Sequence, residues 1–150
     1  MPIFPSKYIR AAILISFWAG INMGSHVAFS LGFNYSLGSG FHAYIQTHGY
    51  LQLMGWAGLF IMGVSIHFLS RLAHLEHVNK LNIDIIYYLM VLGLVIRFIA
   101  HSILPYLENT IWFSITSWSV LLSSILVMQG IALYLWFLLS VIRKLKPTMG

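Results

Sequence analysis

The chain has no cysteine in its 150 residues. Disulfides, thiolate metal sites and covalent haem attachment through a CxxCH motif are thereby excluded. Any transition-metal site must then rest mainly on histidine, of which there are 7. Charge is almost as scarce, with 7% charged residues against 59% hydrophobic. A soluble domain has about 25% charged residues, so this chain cannot cover a water-facing surface. Its net charge of +5 is no nucleic-acid footprint, because the lysines and arginines flank apolar segments and form no patch of their own. Also missing are a phosphate-binding glycine loop, a nucleophile elbow and a buried carboxylate pair. These absences speak against phosphoryl transfer and hydrolysis.

What is present is apolar length. Four segments, roughly 8–33, 42–72, 83–104 and 111–142, are each long enough to cross about 30 Å of hydrocarbon. The expected fold is a single all-α domain, an integral membrane four-helix bundle. The connections are short, so consecutive helices should be antiparallel neighbours. Residues 34–40 (NYSLGSG) and 105–110 read as turns, and 73–82 as a polar connection. The opening MPIFPSKYIR lacks a small-residue cleavage site and predicts a retained first helix. Lys7, Arg10, Arg71, Lys80, Arg143, Lys144 and Lys146 fall at the termini and the middle connection. The positive-inside rule therefore puts both termini in the cytoplasm. Tyr35, Tyr44, Tyr106 and Trp112 fall near the opposite boundary, where amphipathic aromatics collect.

The second segment carries His42, His48 and His67 with Gln46 and Gln52. Ionisable groups inside lipid normally face a bundle interior and mark a site. Counting about 1.5 Å per residue, His26, His48 and His101 all lie in the outer third of the bilayer, on three different helices. Three imidazoles at one depth resemble a buried metal or haem site; hydrogen bonding between helices is the plainer reading. His48, Gln52, Gly55 and Leu59 share one helical face, where the glycine leaves room for a flat macrocycle or a close helix. Asn22, His26 and Ser30 share a face of the first helix, and Gly20-x-x-x-Gly24 is a close-packing signal there.

Arg97 lies inside the third helix, one turn before His101. A buried arginine costs about 2.5–3.5 kcal/mol on insertion scales, and no carboxylate lies at its depth. It is expected either to bind an anion such as a haem propionate or to snorkel and bond neighbouring carbonyls. His67 lies on the order of 28 Å from His48 along the axis, too far for one porphyrin to bridge. It reads as an interfacial residue, with a second inner site, a quinone headgroup or a proton path as the alternatives. His74 and His77 belong to the polar connection, and His42 to the outer boundary. Met54, Met62, Met90 and Met128, and the serines of the fourth helix, read as packing.

The stretch from His48 to Arg71, HGYLQLMGWAGLFIMGVSIHFLSR, resembles a signature of the haem–copper oxidase subunit-I superfamily. It is most similar to NnrS-type haem membrane proteins. Gly55, Trp56, Gly63 and Arg71 fit the pattern, and Leu94 to His101 (LVIRFIAH) is a looser likeness to the companion segment. The resemblance implies a noncovalent b-type haem with His48 as axial ligand, in the cytoplasmic membrane of a bacterium or archaeon. It does not carry over the binuclear centre of the oxidases, because this chain has four segments and no adjacent histidine pair. The twelve-helix oxidase subunit looks like three copies of a four-helix unit, so the resemblance also implies a homo-oligomer, a dimer or trimer.

The expectation is a membrane haem protein acting in electron transfer or in binding nitric oxide or oxygen. His48 supplies one axial ligand, His26 or His101 the other, Arg97 meets a propionate, and Gln52 lies beside the cofactor. Two alternatives stand beside it: a quinol-reactive electron-transfer component with a redox partner, and a non-haem copper-handling or assembly factor.

Overall fold

The computed structural model describes residues 6–72 and 80–145. The described residues are helical throughout, apart from short turns, and contain no strand. Helix α1 is Ser6–Phe33, α2 covers residues 40–72, α3 is Lys80–Ile103 with a 3-10 turn at Leu104–Tyr106, and α4 is Trp112–Leu145. All four are long and apolar enough to cross a membrane. The boundaries expected from the sequence hold to within three residues. The two largest differences, three residues each, are at the end of α4 and at residue 80, where α3 starts inside the stretch read as a polar connection. His74, Glu76 and His77 lie outside the described residues.

Each turn has a local cause. Helix α1 stops at Asn34, which takes the left-handed conformation at φ 52°, one that asparagine tolerates better than most residues. Gly38, at φ +55°, makes the second bend of the same turn, where a side chain would be strained. Tyr106 then donates its hydroxyl to the Leu37 carbonyl at 3.1 Å, so the turn between α1 and α2 is held by the end of α3.

The core forms where small residues let helices approach. Tyr8, Ala11, Ala12 and Ala19 of α1 are buried together with Leu51, Leu59, Met62 and Ile66 of α2. On α3, Ile83, Ile86, Met90 and Leu94 join Val127 and Tyr134 of α4 in the same core. A Cβ on Gly93 would stand 2.7 Å from Val127 Cγ2 and 2.9 Å from the Ser123 carbonyl oxygen. Helix α4 packs chiefly on α3, with Tyr134 adding a hydroxyl contact to Ser65 of α2. The helices are thus a chain of neighbours, α1 on α2, α2 on α3 and α3 on α4, and the side of α4 facing away from α3 is open.

Two stretches depart from the 3.6-residue period that the sequence suggested. Ile15–Ile21 of α1 and Leu51–Gly58 of α2 are wide π-helical turns, a feature often found at functional sites. They pack against each other. At the other end of the molecule, Lys7 pairs with Asp84, and Tyr8 donates to the Ile83 carbonyl at 2.7 Å. The start of α1 and the start of α3 therefore lie together, as antiparallel neighbours require.

Candidate functional site

The site is built around the groove that α1 offers to α2. A Cβ on Gly24 would come within 2.7 Å of the His48 Cε1 atom, and one on Gly20 within 2.6 Å of Gln52 Nε2. The two glycines of the G-x-x-x-G pair therefore make room for two polar side chains. His48 uses the opening to reach the Gly20 carbonyl, 2.7 Å from its Nδ1. Gln52 accepts a bond from the Ser16 hydroxyl at its Oε1, at 3.1 Å. The next positions of the same stripe also meet α1: Gly55 faces Ile15 and Gly63 faces Tyr8. The space expected at Gly55 is thus taken by a close helix.

The polar contact of His48 fixes its chemistry. A carbonyl oxygen only accepts, so Nδ1 carries the proton and donates it to Gly20. In the neutral form such a ring bears its lone pair on Nε2, the arrangement usual in metal-ligating histidines. Among the described residues Nε2 of His48 has no hydrogen-bond partner. His26 has the same arrangement, its Nδ1 lying 2.9 Å from the Asn22 carbonyl one turn back in its own helix.

The three histidines share a level but not a centre. His101 Nδ1 lies 2.9 Å from the Thr47 hydroxyl, the residue next to His48, and is therefore at the depth expected. His26 meets Tyr44 edge-on with ring centroids 6.0 Å apart, one turn along α2. Around the helix axes they diverge. His48 turns into the α1 groove, His101 bonds α2 at Thr47, and His26 is exposed beside Tyr44. Among the described residues no three His, Asp or Glu side chains are grouped closely enough to hold a metal ion.

Arg97 ties three helices together. Its guanidinium lies over the Tyr50 ring, 4.9 Å from the centroid, and donates to the Ser124 hydroxyl of α4 at 3.2 Å. Its Nε is buried with no partner. Both carboxylates among the described residues are elsewhere: Asp84 is paired with Lys7, and Glu108 is exposed in the turn before α4. Among the described residues Arg97 bonds neither a carboxylate nor a backbone carbonyl. It meets a ring and a hydroxyl. Tyr50 and His48 are two residues apart on α2, so Arg97 approaches that helix from a different side than Gly20 and Gly24 do.

Sequence reasoning did not single out Thr47, Tyr50 or Ser16. Thr47 was open to discovery, because a hydroxyl on α2 at the depth of His101 is a natural partner for it. The remaining candidates lie apart from this group. His67 is half-buried near the C-terminal end of α2, and His42 is exposed at its N-terminal end. A cleft of about 290 Å³ at the turn between α1 and α2 is lined by Ser30, Leu31, Asn34, Tyr35, Ser36, Leu37, Gly38 and Phe41. It includes none of the histidines.

Compared with known protein families, curated proteins and solved structures, the chain matches none.

Proposed function

We propose that this is a membrane protein that binds b-type haem without a covalent link, with His48 as one axial ligand to the iron. The observation that carries the reading is the bond from His48 Nδ1–H to the Gly20 carbonyl at 2.7 Å. It orients the ring, selects the tautomer and leaves Nε2, which lies beside Gly24 of α1, without a hydrogen bond among the described residues. His48 would fill one axial position, and His26 and His101, likewise bonded through Nδ1 and not through Nε2 among the described residues, are the candidates for the other. The likeness of residues 48–71 to the haem–copper oxidase superfamily supports the same assignment, as does the neutral nitrogen donor that haem iron accepts.

Bound haem would supply one-electron chemistry, or an open iron position for nitric oxide or oxygen. In either case the protein's part is to hold the ring at a defined depth and to keep water from it. Gly20 and Gly24 seat His48, and Gln52 fills the next turn through its bond to Ser16. We place both termini on the cytoplasmic side, as the positive charges at residues 7, 10, 71, 80 and 143 favour.

The deciding experiment is an absorption spectrum of the detergent-purified protein, oxidised and reduced, beside a His48→Ala variant. A Soret band that is lost or shifted in the variant is expected. Wild type that stays colourless after hemin is added would overturn the reading and leave His48 as a clamp between α1 and α2.

A further inference from the structure

Helix α4 has one side on the protein and one side on lipid. Ser123, Val127, Gly130, Tyr134 and Val141 are buried, and Gly130 stands against Met90 of α3, a Cβ there coming within 3.0 Å. The opposite face carries Trp118, Leu122, Ile125, Gln129, Ala132, Trp136 and Leu139, all exposed. These seven are spaced alternately by four and three residues, the repeat of a helix–helix seam. Six of them suit lipid. Gln129 does not.

Gln129 lies 17 residues from the start of α4 and 16 from its end, at the middle of the helix. Its amide has no hydrogen-bond partner among the described residues. Four serines on α4 meet their needs differently: Ser117, Ser119, Ser124 and Ser140 each bond a carbonyl one turn back. A glutamine amide is too long and too polar for that solution. At the centre of a membrane there is no water to replace the missing partner. Glutamine side chains in such positions bond across to another helix.

We propose that the Gln129 face of α4 is the contact between two copies of this chain, related by a two-fold axis along the membrane normal. The amide itself favours a second copy over an unrelated helix. It holds one acceptor and one donor group, so it complements itself, and a two-fold interface brings each residue near its own equivalent. Symmetry puts the two Gln129 side chains at the same depth without further adjustment. Ala132, one turn on, is the small residue that lets the two backbones approach. Trp118 and Trp136, two to three turns away on either side, close the seam. The assignment does not depend on the haem reading.

The absence of cysteine makes the test direct. Single variants Ile125→Cys, Gln129→Cys and Ala132→Cys should form disulfide-linked dimers in membranes on mild oxidation. Met128→Cys and Leu135→Cys, exposed on the flank of the same helix, should not. In the cysteine-free chain, Gln129→Leu should weaken dimerisation by roughly 3- to 20-fold, the range measured for interhelical hydrogen bonds in membranes. The variant extends an apolar helix, so loss of folding does not confuse the result. Equal crosslinking at the flank and stripe positions would overturn the proposal. So would a Gln129→Cys chain that crosslinks only to a chain carrying Asn22→Cys, because α1 of the neighbour would then be the partner.

Discussion

The Thr47 hydroxyl and the His101 ring are 2.9 Å apart and join α2 to α3. Nothing else among the described residues bonds that imidazole. Thr47→Val keeps the shape of the buried side chain and removes the hydroxyl. Leaving a buried polar group unpaired costs about 1–3 kcal/mol. The expected outcome is a loss of that size in detergent unfolding, and little further loss when His101→Phe is added to Thr47→Val. Additive losses from the two substitutions would mean that the pair is not a unit.

Glycine tolerance should follow what a methyl group would meet. Gly93→Ala would push against the Ser123 carbonyl, which belongs to the α4 backbone and cannot swing away. Overpacking of this kind costs about 1–3 kcal/mol, and α3 and α4 should separate at lower temperature. Gly32→Ala meets nothing within 4 Å and should be neutral, or stabilising by roughly 0.5–1 kcal/mol through helix propensity. A thermal denaturation series of the two variants checks both directions at once.

Gly24→Ala probes the seat of His48. The added carbon would come within 2.7 Å of the imidazole and force the ring off the Gly20 carbonyl. If His48 holds haem, the variant should bind it several-fold more weakly while remaining folded, a loss of about 1 kcal/mol for each fivefold change. Hemin titration read at the Soret band measures this.

Arg97 offers a test with an unusual sign. Its charge is held by a ring and a hydroxyl, and one guanidinium nitrogen is left without a partner. Arg97→Met keeps the stem and removes the charge, so the variant should be at least as stable as the parent. Ser124→Ala should be less stable than the parent by about 1–3 kcal/mol. Unfolding of the purified variants in the same detergent gives the comparison. A large loss for Arg97→Met would show that the guanidinium meets an anion in the folded protein.

Much of the architecture was legible because the membrane imposes length. Four apolar runs became four helices, and the rise per residue placed His26, His48 and His101 at one level. The pair Gly20 and Gly24 marked a close contact, and α2 is what they contact. Direction around each helix was harder to read. The sequence put Asn22, His26 and Ser30 on one face, yet Ser30 is buried and His26 exposed. A four-residue step turns about 40° in an ideal helix, enough at the edge of an interface to move a side chain from inside to outside. The π-helical turns at 15–21 and 51–58 shift the phase again, and no residue type announces them. Arg97 was recognised as costly, but its partners were hidden because a ring and a hydroxyl carry no charge to match.

The pair formed by Lys7 and Asp84 joins positions 77 residues apart. A ribosome delivers the first long before the second. While α1 and α2 enter the bilayer as a hairpin, the ammonium group of Lys7 must be held by water and lipid headgroups at the membrane surface. Only when α3 begins to emerge does its carboxylate arrive, and with it the Ile83 carbonyl that receives the Tyr8 hydroxyl. The third helix is therefore the latch of the assembly. A chain halted after α2 would keep Tyr8 against Gly63 but leave Lys7 and the Tyr8 hydroxyl without the partners that α3 brings.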